Sequence, residues 1–181
     1  MDNSAQIKKW ISEDPIRMQA LSVASTLGLS DWCRAAGFVR NLAWDKLHGY
    51  SSATALNDID LIYFDSDNTS EQTDKDLEQR LKAISDFPWS VKNQARMHTR
   101  NSDSPYASTE DAMSYWVEVE TAVGATLNES GDIEIVAPFG VDVLFDYTIM
   151  PNSKRPKPEV FAQRLQEKRW LEIWPNLVVN A

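Results

Sequence analysis

The chain is short of several things, and each shortage narrows what it can be. A single cysteine, Cys33, stands among 181 residues, which excludes an intramolecular disulfide and suits a reducing compartment. Between Trp32 and Ala35 it reads as a small core residue rather than a nucleophile. No cationic-then-apolar leader and no apolar run of membrane-spanning length is visible, so the expectation is a cytoplasmic protein without a membrane partner. Positive charge is scarce too: 18 Lys and Arg face 27 Asp and Glu, a net charge of -9. That balance argues against a long nucleic acid as partner, because gripping a phosphate backbone needs clustered cations, and it favours a small substrate. Repeats and internal boundaries are missing, and the length suits one domain, 1–181, able to bury roughly 70% of its unfolded surface.

Tryptophan is what the chain has in quantity, seven in all. Packing in the core and in surface grooves accounts for most such residues, although a pocket lining is the alternative. Along the chain, apolar spacing predicts a short helix over 4–11. A second runs from the Asp14-Pro15 cap to a stop at Gly28. A helix follows from Arg40 to about His48, and His48 reads as a helix-end residue rather than a base. Residues 59–64 form an apolar strand, and 71–85 a clear amphipathic helix that returns the chain to the sheet. Residues 89–98 read as a further strand with Lys92, Gln94, Arg96 and His98 on one face. A helix from Thr109 through Tyr115-Trp116 to Val119, a hairpin around 125–136 and a closing helix over about 159–170 complete the outline.

Chemistry concentrates in 36–64. Ala36-Gly37-Phe38-Val39-Arg40-Asn41-Leu42 places a glycine just before a helix, where the backbone can approach an anion and unpaired amides await it. Further on, Asn57-Asp58-Ile59-Asp60 opens the apolar strand. Alternation there puts Asp58 and Asp60 on one face and Ile59 and Leu61 on the other. Two carboxylates that close repel each other unless a hard, oxygen-preferring cation lies between them.

This order resembles the head of the polymerase-beta-like nucleotidyltransferase superfamily, above all the CCA-adding enzymes and bacterial poly(A) polymerases. Their pattern is Gly-Gly-x-Val-Arg-Asp-x-Leu followed by Asp-x-Asp. Ala36 replaces the first glycine and Asn41 the aspartate. Val91 to His98, Ala122-Val123-Gly124, Ala137-Pro138-Phe139-Gly140, Lys168-Arg169-Trp170 and Trp174-Pro175 resemble a family of small bacterial proteins assigned to the same fold.

The resemblance implies a single α/β (α+β) domain, a small mixed sheet flanked by helices. It implies Mg²⁺ (or Mn²⁺) on Asp58 and Asp60, and an NTP whose phosphates meet Gly37, Phe38, Val39, Arg40, Asn41 and Arg96. The acceptor would be a small molecule or a protein. It also implies a third carboxylate near 91–98, where Asn93 is the positional candidate; a neutral amide neither neutralises a second metal nor acts as a base. Asp142 or Asp146 are alternatives that sequence does not place. Two readings therefore stand: a nucleotidyltransferase, or a nucleotide- or metabolite-binding module on the same fold that has lost catalysis.

Overall fold

The computed structural model describes residues 1–57 and 59–181, with Ile59 described by its backbone alone. Two capped helices open the chain. In α1 (Asn3–Ser12) Asp2 accepts the Ala5 amide at 2.7 Å. In α2 (Pro15–Ser25) Asp14 accepts the amides of Ile16 and Arg17, while Pro15 occupies the first turn, where an amide hydrogen would find no helical partner. β1 (Cys33–Ala36) runs directly into α3 (Gly37–Leu47), and β2 (Ile59–Tyr63) follows. α4 (Glu71–Ile84), capped by Ser70, is the expected crossover and delivers β3 (Val91–Asn93) parallel to β2. After the short α5 (Met97–Asn101) and α6 (Thr109–Met113) comes the hairpin of β4 (Gly124–Leu127) and β5 (Ile133–Val136). The chain closes with β6 (Thr148–Ile149), α7 (Pro158–Lys168), α8 (Trp170–Ile173) and β7 (Val178–Val179).

The five-stranded sheet has the order β3-β2-β1-β4-β5 and is antiparallel except between β2 and β3. It is the small mixed sheet flanked by helices that the motif implies. β6 and β7 form a separate parallel pair, too short for periodicity to announce. Pairing of Cys33 with Ile62 and of Ala35 with Asp60 defines one face of the main sheet, where Met113 and Ala122 cover Cys33, Ala35 and Ile62. On the other face Leu61, Tyr63 and Val91 pack under Ala24, Leu77, Leu81 and Trp89. Asp60 and Leu61 thus point apart, as alternation requires.

α3 is buried from Gly37 through Asp45. One side joins Ile7, Ile11, Leu21, Val123 and Leu144 through Phe38, Val39 and Leu42. Its far side meets the C-terminal cluster through Trp44, whose ring centroid is 5.1 Å from that of Trp174 and 6.2 Å from that of Trp170.

Three local expectations are corrected. The strand expected over 89–98 stops at Asn93, whose Oδ1 accepts the Ala95 amide at 3.0 Å and so caps a 3₁₀ turn, Gln94–Arg96, that leads into α5. Arg96 and His98 are therefore not strand residues. The helix expected from Thr109 to Val119 ends at Met113, and Tyr115 and Trp116 leave on irregular backbone. The glycine turn sits one residue early: Ala36, not Gly37, carries the positive φ (56°, with ψ -125°), and Gly37 is the first helical residue.

An L-residue with a side chain rarely adopts that conformation, which costs on the order of 1–3 kcal/mol. Glycine adopts it freely but adds roughly 0.4–1 kcal/mol of unfolded-state entropy. Ala36→Gly is therefore expected to stabilise the protein by about 1 kcal/mol, a rise in Tm of about 2–4 °C. Calorimetric melting checks this, and a lowered Tm would mean that the Ala36 methyl contributes more by packing than it costs in strain.

Candidate functional site

Asp60 opens into a cleft of about 300 Å³. The sheet supplies its floor through Ala36, Asp60, Ile62 and Lys92, and the register Ile62 to Lys92 places that lysine on the Asp60 face. Met97, Arg100, Asn101 and Tyr106 make one wall, Tyr115 to Glu118 another, and Lys157 and Arg164 of the C-terminal segment close the third side. The charge here runs against that of the whole chain. Lys92, Arg100, Lys157 and Arg164 line the cleft against the carboxylates of Asp60 and Glu118, in a protein of net charge -9. Glu118 is itself held: Arg164 grips it through Nε at 2.7 Å and Nη2 at 3.0 Å, and the Thr121 hydroxyl donates to it at 2.8 Å. Among the described residues, Lys92, Arg100 and Lys157 thus stand in the same cleft as Asp60, an arrangement that attracts a phosphorylated anion.

The residues singled out from sequence divide sharply. Asp60 is in the cleft, while Asp58 lies outside the described residues. Ala36 lines the cleft, and α3 begins beside it with no side-chain cap, so first-turn amides from Gly37 onward are the groups it can offer. The side chains of Phe38 and Val39 are fully buried in the core. Arg40, 1% exposed, donates to Thr121 at 2.9 Å and to Asn41 at 3.1 and 3.2 Å, and its guanidinium lies 4.8 Å from the Trp170 ring centroid. Neither it nor Asn41 lines the cleft, and in the structure the two side chains bond to each other and Arg40 to Thr121.

Arg96 pairs with Asp74 at 2.5 Å, away from the cleft. Asn93 is wholly buried. Its Oδ1 accepts the amides of Asp65 and Ala95, and its Nδ2 donates to the carbonyls of Asp65 and Asn68, so every polar group is spent on bracing the turn after β2. Asn93 is no substitute for a third carboxylate. Nor is Asp142, which accepts from Asn3, and neither Asp142 nor Asp146 lines the cleft.

Sequence reasoning missed Arg100, Tyr115, Trp116, Glu118, Lys157 and Arg164. The only signal in the sequence is the basic run of Lys154, Arg155 and Lys157 between Pro151 and Pro158. In the structure Asn152 stitches that run to the wall, donating to the carbonyls of Ser114 at 2.7 Å and Trp116 at 2.8 Å, and Arg155 pairs with Asp103 at 2.8 Å.

A nucleotidyltransferase family model matches residues 22–179. The chain belongs to the nucleotidyltransferase family. A protein whose NMR structure reveals a CCA-adding enzyme head domain is 34% identical, with a TM-score of 0.86 over 98% of this chain and 96% of that one. Two structures of tRNA-processing enzymes share the fold at 18% and 17% identity, with TM-scores of 0.56 and 0.54 over 88% of this chain. This chain spans 42% and 44% of their length. No curated protein matches the sequence. Membership in the nucleotidyltransferases implies an NTP as donor and, in general, divalent metal ions. Among the described residues no helix is long and apolar enough to cross a membrane.

Two buried ionisable groups lie close to the cleft. Behind the sheet, Arg34 is fully buried, its guanidinium 4.2 Å from the Trp89 ring centroid; burial lowers its pKa to about 9, partly offset by Asp60. Beneath the cleft, Glu120 is also fully buried and accepts the Met150 amide at 3.0 Å on both oxygens. Burial raises its pKa from 4.5 to about 7, against the lowering effect of the Met150 amide. Between those two values the folded protein holds a proton that the unfolded chain has released, so stability falls as pH rises through this window. Wild type is therefore expected to lose about 3 kcal/mol relative to Glu120→Gln between about pH 4.5 and pH 7. Denaturant titrations across that range check this; a flat difference would show that Glu120 gains no proton on folding.

Proposed function

We propose that the protein transfers an NMP from an NTP to a hydroxyl of a small-molecule or protein acceptor in the cleft beneath Asp60. The observation that carries this reading is the reversal of charge there: Lys92, Arg100 and Lys157 gather around a carboxylate in a markedly acidic chain. A triphosphate supplies the negative charge that such a lining needs. Asp60 offers carboxylate oxygens, the donor type that Mg²⁺ or Mn²⁺ takes, Asp58 is the second carboxylate that the sequence motif supplies, and no thiolate or imidazole lines the cleft among the described residues. When bound, such an ion lowers the pKa of an acceptor hydroxyl and offsets charge on the departing pyrophosphate. The chain's own contribution is positioning. Lys92, Arg100 and Lys157 draw in and orient the phosphates, and the uncapped start of α3 presents amides to them.

A second reading, a nucleotide- or metabolite-binding module without turnover, is favoured by one observation. Asn93 is fully committed to the turn after β2, and Glu118 is committed to Arg164, so neither supplies the third acid of a two-metal site. Calorimetry with each NTP and Mn²⁺ tests the shared part. At least one NTP is expected to bind wild type, and Asp58→Ala/Asp60→Ala to weaken it by at least about tenfold, the loss that even outer-shell changes cause at metal sites. Undiminished binding in the double variant would contradict the assignment. Release of pyrophosphate, with label from the α-phosphate passing to an acceptor, separates the transferase from the binding module.

A further inference from the structure

We infer that Trp116 is the platform on which the base of the bound nucleotide stacks, an inference that rests on an NTP occupying the Asp60 cleft. Trp116 lines the same cleft as Asp60 and is half-buried. Part of its ring packs against the cluster of Cys33, Ala35, Ile62, Met113 and Ala122. Among the described residues no ring or cation stands over its indole, and its Nε1 hydrogen has no hydrogen-bond partner. The tyrosine rings that line the cleft are engaged. Tyr106 and Tyr115 have centroids 5.2 Å apart, His98 meets Tyr106 edge-on at 6.2 Å, and the Lys154 ammonium lies 4.2 Å from the Tyr115 centroid. Trp10, Trp44, Trp89, Trp170 and Trp174 each pack against another ring.

Trp116 is also held in place before any ligand arrives. Its amide donates to the Met113 carbonyl at 3.0 Å, its own carbonyl accepts from Asn152 at 2.8 Å, and the next carbonyl, of Val117, accepts the Asn152 amide at 2.9 Å. A fixed indole with an unpaired face, sharing a cleft with Lys92, Arg100 and Lys157, matches the two halves of one nucleotide: a π-face for the base and cations for the phosphates. Stacking tolerates any base and grows with ring area, so purine nucleotides bind more tightly than pyrimidine ones.

The test compares NTPs with inorganic tripolyphosphate, both with Mn²⁺, by calorimetry. Trp116→Ala is expected to weaken ATP binding about tenfold to a hundredfold, the range for losing one aromatic stack, and to leave tripolyphosphate binding unchanged. Trp116→Phe, which keeps a ring, should retain most of the ATP affinity. With Mg²⁺ in place of Mn²⁺, adenine protons should move upfield on binding wild type and not on binding Trp116→Ala. Equal losses for ATP and tripolyphosphate would overturn the inference, since they would mean that Trp116 only supports the fold. ATP binding unchanged in Trp116→Ala would overturn it while leaving the nucleotide reading intact. A wild type that binds neither ligand would overturn both.

Discussion

The guanidinium of Arg40, shut away from water between the rings of Trp44 and Trp170, ties the two halves of this protein together. A buried charge of this kind is tolerated only where other groups replace the lost hydration. Here Asn41, the Thr121 hydroxyl and two indole faces do so. Thr121 passes the link to Glu118, and Glu118 passes it to Arg164 on α7. The C-terminal helix is thereby fixed to the central helix, and with it one wall of the cleft. A second buried contact does the same at the other end of α3: Asp45 accepts from the Trp174 indole at 2.9 Å and from the Thr54 amide at 2.7 Å.

Arg40, which reads from the motif as a phosphate ligand, is held inside the fold in this structure. Phosphate contact requires an accessible guanidinium, and Arg40 has none of its surface to spare. The cleft draws its cations instead from the edge strand, Lys92, from α5, Arg100, and from the C-terminal segment, Lys157. Those side chains lie close to solvent, where unpaired charge costs little and an anion can reach it.

The central architecture was legible because it rests on local patterns with physical meaning. Strand alternation separates Asp60 from Leu61, the Asp14-Pro15 pair caps α2, and the apolar stripe of 71–84 makes the crossover helix. What was illegible depends on single side-chain bonds between distant segments. Asn93 looked like a strand residue at a catalytic position, and its own amide ends the strand by capping the next turn. Trp116 looked like part of a helix that in fact stops three residues earlier, and its backbone is set by Asn152, 36 positions away. The strain at Ala36 was equally hidden: its place in the motif was visible, but only the backbone shows that the residue standing for a glycine takes a conformation suited to one.

The central claim is that the face of β2 bearing Asp60 is where metal and nucleotide meet. Paramagnetic broadening of amide resonances by a trace of Mn²⁺, with and without a non-hydrolysable NTP analogue, tests it most directly. Broadening that begins at Ala36, Asp60, Ile62 and Lys92 and deepens with the analogue is the expected result. Broadening centred on the acidic turn at Asp65 and Asp67, or on Asp142 and Asp146, and indifferent to the analogue, would contradict the account.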